Sequence, residues 1–88
     1  MTSPSEAGAV RVRVLLFAGL RELAGRGELE VEIPPGATVA DLRRAVAAVC
    51  PELAGAAWSL AQDTVWCREE DPVDPQAELA LLPPVSGG

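Results

Sequence analysis

Few residue types in this chain can do chemistry, and they are unevenly placed. The 88 residues include seven basic side chains, all arginine; lysine and histidine are both missing. That removes Schiff-base lysine chemistry, phosphate-loop lysine chemistry and a histidine general base. The thiols Cys50 and Cys67 form no C-x-x-C pair and have no histidine nearby, so no metal site is expected. They read as small core hydrophobes in a reducing cytosol, the compartment suggested by a chain with no signal peptide and no membrane-length apolar run. What remains is the end of the sequence, Leu82-Pro83-Pro84-Val85-Ser86-Gly87-Gly88. Pro83 and Pro84 favour extended backbone and should launch the chain away from the body. Gly87 and Gly88 carry no Cβ and suit a channel too narrow for a side chain. The terminal carboxylate has an ordinary pKa of roughly 3.5 and is ionised at neutral pH. From Pro83 to Gly88 the reach is about 20 Å, at ~3.3 Å per residue. Such an arm can carry a reactive group into a neighbour's site. The plain alternative is a frayed end, as most termini are.

Charge narrows the partners. Net charge is −6, against phosphate backbones and anionic membranes, so neither nucleic acid nor membrane is expected and a basic protein surface is favoured. The length allows one small domain, burying about 60–65% of its unfolded surface.

The elements that must hold the tail can be read in order. Residues 1–9 are Ser, Pro, Gly and Ala around one Glu, without periodicity, and are expected to be disordered. Val10 to Phe17 alternates as a strand: Val10, Val12, Val14 and Leu16 share one face, and Arg11, Arg13, Leu15 and Phe17 the other. The second face starts charged and ends apolar, which makes Leu15 and Phe17 docking candidates. One or two helical turns follow around Leu20 to Ala24, closed by Gly25 and Gly27. Glu28 to Ile33 alternates again, and pairing it with the first strand sets its glutamates opposite Arg11 and Arg13. Pro34-Pro35-Gly36 breaks that strand. Thr38 reads as an N-cap, with Asp41 in the first turn of a helix over about 39–50. Val39, Leu42, Val46, Val49 and Leu53 form its apolar stripe, and Pro51 ends it. Leu53 to Ala57 reads as a connection. Trp58–Ala61 and Thr64–Cys67 read as short strands around a Gln62-Asp63 turn. Arg68 to Gln76 reads as a solvated polar loop broken by Pro72 and Pro75. Glu78 to Leu82 is the last strand, with Leu79 and Leu81 inside and Leu82 outside beside Glu78.

Hairpin, helix and returning strand make an α+β roll, a mixed sheet of about four to five strands crossed by one main helix. The domain spans 10–82 and the tail 83–88. The first and last strands should be parallel central neighbours, which puts Phe17 and Leu82 together on the open face where the tail departs.

At its two ends the chain resembles a known family. Leu16-Phe17-Ala18-Gly19-Leu20-Arg21-Glu22-Leu23-Ala24-Gly25 is similar to the F-A-x-x-R-E-L-x-G opening of the small subunits of molybdopterin synthase, and Leu81 to Gly88 is similar to their ending. The resemblance implies a β-grasp, ubiquitin-like sulfur carrier. It implies that the Gly88 carboxylate is adenylated by an ATP-using activating enzyme, becomes a thiocarboxylate, and donates sulfur to cyclic pyranopterin monophosphate inside a large synthase subunit. It also implies a two-plus-two heterotetramer, no cofactor bound by the carrier itself, and catalytic acids and bases supplied by the partners. Gly88 would carry the chemistry, Pro83, Pro84, Val85, Ser86 and Gly87 would give access, and Phe17, Leu82 and Leu15 would dock. Three readings compete with it: a ubiquitin-like modifier conjugated through Gly88, a sulfur carrier for thiazole or cysteine synthesis, and an acidic binding domain with a frayed end.

Overall fold

A computed structural model describes residues 9–83. Two alternating segments open the fold. β1 (Val10–Leu16) and β2 (Glu28–Ile33) pair antiparallel, with Val12 opposite Val31 and Arg13 opposite Glu30. Between them lies α1 (Ala18–Ala24), whose cap Gly25 takes the left-handed φ of 74° that ends a helix without a Cβ clash. α2 (Val39–Val49) follows. Thr38 caps it as the spacing predicts: the Asp41 amide donates to Thr38 Oγ1 at 3.3 Å, and the Thr38 amide donates to Asp41 Oδ2 at 3.0 Å. That second bond is the main reason the Asp41 carboxyl is held below its ordinary value.

The chain then makes a short 3₁₀ turn (Pro51–Leu53) and three more strands, β3 (Ser59–Gln62), β4 (Val65–Trp66) and β5 (Leu79–Leu82). The five-stranded sheet has the order β2-β1-β5-β3-β4. β1 and β5 run parallel at its centre, as expected, with Leu15 beside Ala80, and the other pairs are antiparallel. One face carries the core: Val12, Val14 and Leu16, then Leu29, Val31 and Ile33, then Leu60, Leu79 and Leu81, closed by Leu20, Val39, Leu42 and Val46 from the helices. Each such side chain contributes roughly 1.5–3 kcal/mol by leaving water.

Three expectations need correction. Val49 does not belong to the helical stripe; it is 50% exposed, and Cys50 takes the inward place at 5%. Cys50 lies four residues past Val46, and its non-helical backbone ahead of Pro51 turns the thiol to the core. The connection expected from Leu53 begins as that 3₁₀ turn, with Leu53 buried. The loop from Arg68 to Gln76 is not simply solvated. The Val39 and Ala40 amides donate to its Asp71 and Glu69 carbonyls at 3.0 Å each, satisfying open donors of α2. Glu69 also accepts from Arg43 Nε at 3.0 Å, and the Arg43 guanidinium lies 4.0 Å from the Trp58 ring centroid. Gln62 holds the loop from the other side, its Nε2 donating to the Pro72 carbonyl and its Oε1 accepting from the Asp74 amide.

Candidate functional site

On the face of the sheet turned away from the helices, an apolar hollow of about 300 Å³ opens between the ends of the central strands. It is lined by Phe17, Ala61, Thr64, Trp66, Glu78, Ala80 and Leu82. Strand parity explains its floor. Val12, Val14 and Leu16 point inward, so Phe17 leaves β1 on the opposite side, and Ala80 and Leu82 do the same beside inward Leu79 and Leu81. Ala61 is opposite Ala80 on one side and Trp66 on the other. It is only 7% exposed yet takes no part in the inner core, so its cover lies on this outer face.

The walls are large and open to solvent. Phe17 is 44% exposed and Trp66 56%. Two wide aromatic surfaces left in water around one hollow mark a contact site rather than a scatter of single apolar residues. Backbone strain gathers at the same place. Among the described residues three non-glycines have positive φ: Ala18 at 52°, Asp63 at 49° and Thr64 at 69°. Ala18 directly follows Phe17, and Asp63-Thr64 is the turn that returns the chain to Trp66. For a β-branched residue such as Thr64 this region is sterically costly. Strain kept beside an exposed apolar surface is characteristic of positions held for function.

The sequence-predicted residues fall into three groups. Phe17 and Leu82 meet in the hollow as strand parity predicts, with Leu82 half-buried in its wall. Leu15 is half-buried but lines a neighbouring hollow with Arg11, Arg13, Glu30, Pro75, Ala77, Glu78 and Leu79, so it is adjacent to the Phe17 patch rather than part of it. Pro83 is half-buried and is the last residue described, directly after Leu82 at the hollow's wall. Pro84, Val85, Ser86, Gly87 and Gly88 lie outside the described residues, as does the expected disorder of residues 1–8.

Trp66 is the residue that sequence reasoning passed over. The expected turn at Gln62-Asp63 lies one residue early; Gln62 is in β3 and pairs with Val65 around Asp63-Thr64. Moving this two-residue turn by one position shifts the pairing by two residues: Trp66 keeps its face but stands across from Ala61 instead of Ser59. A tryptophan two residues beyond a turn, in a chain with only three aromatic residues, was the available signal.

Elsewhere the described residues offer little chemistry. Cys50 is buried, and that burial is the main cause of its raised thiol pKa. Cys67 is half-buried against the core edge, its sulfur 3.1 Å from Gln62 Nε2. Neither thiol is in a disulfide. Among the described residues no three His, Cys, Asp or Glu side chains gather as a metal site, and no helix is long and apolar enough to cross a membrane.

Residues 14–88 match the ThiS family. The chain belongs to that family. A relative from Chlamydomonas reinhardtii named molybdopterin synthase sulfur carrier subunit is 32% identical over 83 residues, 90% of this chain and 100% of the relative. One of the same name from Arabidopsis thaliana is 32% identical over 85 residues, 94% of this chain and 88% of that one. Among solved structures, the crystal structure of SAMP1 from Haloferax volcanii superposes with a TM-score of 0.76 at 28% identity, covering 90% of this chain and all of that one. The ThiS-family chain is therefore a β-grasp, ubiquitin-like α+β domain, as its parity pattern and its resemblance predict.

Proposed function

We propose that this ThiS-family chain is the sulfur carrier subunit of a molybdopterin synthase. The observation that carries the reading is the junction at Leu82 and Pro83. The last strand ends in the wall of an exposed aromatic hollow, so the segment bearing Gly88 starts at the edge of a surface suited to docking. The names of the Chlamydomonas and Arabidopsis relatives supply the pathway.

The chemistry follows from the end group. A carboxylate resists nucleophiles because of its charge. An activating enzyme joins it to the α-phosphate of ATP, releasing pyrophosphate, and a sulfide-level donor then displaces AMP to leave a thiocarboxylate. The glycyl carbonyl is unhindered, and the sulfur anion is nucleophilic at neutral pH. Phe17, Leu82 and Trp66 seat the body on the large synthase subunit, while Pro83 to Gly88 deliver the sulfur to cyclic pyranopterin monophosphate. Holding the reacting group on a docked arm replaces a free encounter by a near-intramolecular one. The carrier binds no cofactor of its own, and ATP is bound by the activating enzyme. The assembly is two carriers with two large subunits.

Intact-protein mass spectrometry tests this after incubation with the activating enzyme, ATP and a sulfur donor. The expected product exchanges one C-terminal oxygen for sulfur. A C-terminus that keeps both oxygens overturns the reading. So does a carrier extended by one residue beyond Gly88 that still supports cofactor synthesis.

The likeness to SAMP1, a small archaeal modifier protein, favours a second reading, conjugation to target lysines through Gly88. Gly88-linked adducts larger than the free chain on a denaturing gel would distinguish it.

A further inference from the structure

The opposite edge of the sheet offers a second surface. Among the described residues β2 is an edge strand, with β1 on one side and no strand on the other. Its hydrogen-bond phase is set by the Leu16 amide, which donates to the Gly27 carbonyl at 2.8 Å. In an antiparallel pair, bonded and non-bonded residues alternate. With Val12 opposite Val31 and Val14 opposite Leu29, residues 29, 31 and 33 turn their backbone groups toward β1. The N–H and C=O groups of Glu28, Glu30 and Glu32 therefore point out from the edge.

Two different side-chain environments flank that free backbone. On the outer face stand the three glutamates. Glu32 pairs with Arg11 at 3.6 Å and Glu28 with Arg13 at 3.4 Å; Glu30 forms no ion pair among the described residues. On the inner side, α2 presents Ala45, Ala48 and the exposed Val49. Together with Arg11, Glu30, Val31 and Glu32 they line a hollow of about 470 Å³ that wraps the edge. The exposed Val49 is thus an apolar side chain next to an open strand edge.

We infer that the β2 edge takes an extended segment of a partner protein in which arginine or lysine alternates with small aliphatic residues. A strand added here would make main-chain bonds to Glu28, Glu30 and Glu32. Its side chains would then alternate in register with the two environments, cations beside the glutamates and aliphatic groups over Ala45, Ala48 and Val49. A second copy of this chain is disfavoured, because two β2 edges would place glutamates against glutamates. The site is independent of the sulfur chemistry. β2 and β4 close opposite sides of the sheet, about 19 Å apart across four strand spacings. The edge can thus be held while the aromatic hollow is docked elsewhere.

The test is an amide-shift titration of the full chain with a capped peptide that alternates arginine and valine. The expected shifts fall on Glu28 to Ile33 and Ala45 to Val49. A peptide of the same composition with arginines and valines in separate blocks should bind at least about tenfold more weakly, and Glu30→Arg should weaken the alternating peptide by about tenfold or more. Glu30 is exposed, and thermal unfolding of the variant confirms that its fold is intact. Equal binding of both peptides, an unaffected Glu30→Arg variant, shifts confined to Phe17, Trp66 and Leu82, or self-association through the same amides would each overturn the inference.

Discussion

The outer face of one sheet is divided into two unlike halves. Across β1 and β2 it is a ladder of charge: Arg11 and Arg13 against Glu28, Glu30 and Glu32. Across β5, β3 and β4 it is apolar: Leu82, Ala80, Ala61 and Trp66, with Phe17 closing the hollow. The pleat and the buried core beneath are the same for both. What differs is the job of the exposed side chains. The charged half keeps the sheet in water and guards its free edge. The apolar half leaves two aromatics exposed and gathers the positive-φ residues Ala18, Asp63 and Thr64 around them. Stability alone does not favour that arrangement, whereas partner binding does.

The largest perturbation removes what the halves share. Leu81 is fully buried on β5. Leu81→Ala should cost about 2–5 kcal/mol in denaturant unfolding and weaken both halves together. If only the apolar half changed, the common core would be the wrong description.

Next is a separation of binding from folding. Phe17→Ala and Trp66→Ala should each lose about 2 kcal/mol of affinity for the large synthase subunit, roughly thirtyfold, by calorimetric titration. Their unfolding free energies should move by no more than about 0.5 kcal/mol, as for other exposed positions. Leu15→Ala, from the neighbouring hollow, should change affinity less. An equal loss would merge the two hollows into one docking surface.

Thr64→Gly tests whether the hairpin stores strain. It should raise stability by about 1 kcal/mol, since glycine accepts the positive φ freely. In the charged half, Arg11→Ser should cost only about 0.2–1 kcal/mol, and less at high salt, because the pair with Glu32 is exposed.

The smallest effect lies outside both halves. Hydrogen bonding from Arg43 holds the Glu69 carboxyl below its ordinary value of 4.5. The folded state therefore binds that proton less readily than the unfolded chain. The contribution is complete above the ordinary value and is lost as pH falls through the lower folded one. Glu69→Gln should lower stability at neutral pH slightly and flatten its decline in acid. An acid-unfolding profile unchanged from the parent would assign that decline to other carboxyls.

Much of this is legible in the amino-acid sequence. The period-2 runs at Val10 to Leu16 and Glu28 to Ile33, the Thr38 and Asp41 cap, and the breaks at Gly25 and Pro51 are local instructions, fixed by φ/ψ limits and side-chain period. Parity alone brought Phe17 to Leu82, because an alternating strand leaves no choice of face once one side is buried. Other features are non-local. Val49 and Cys50 stand about 100° apart, at similar angles on either side of the buried stripe, and only the turn at Pro51 chose the cysteine for the core. The loop from Arg68 to Gln76 looked solvated because its work, accepting from the Val39 and Ala40 amides and holding Arg43 through Glu69, is done about 30 residues away in sequence. Trp66 stands across from Ala61 rather than Ser59 because the turn lies one residue later than propensity placed it. The chain by itself thus determined its elements, its two faces and the composition of its tail, since these depend on neighbours in sequence. The tertiary structure decided which exposed residues share a surface, since strand register and loop docking are set by contacts that exist only once the sheet has closed.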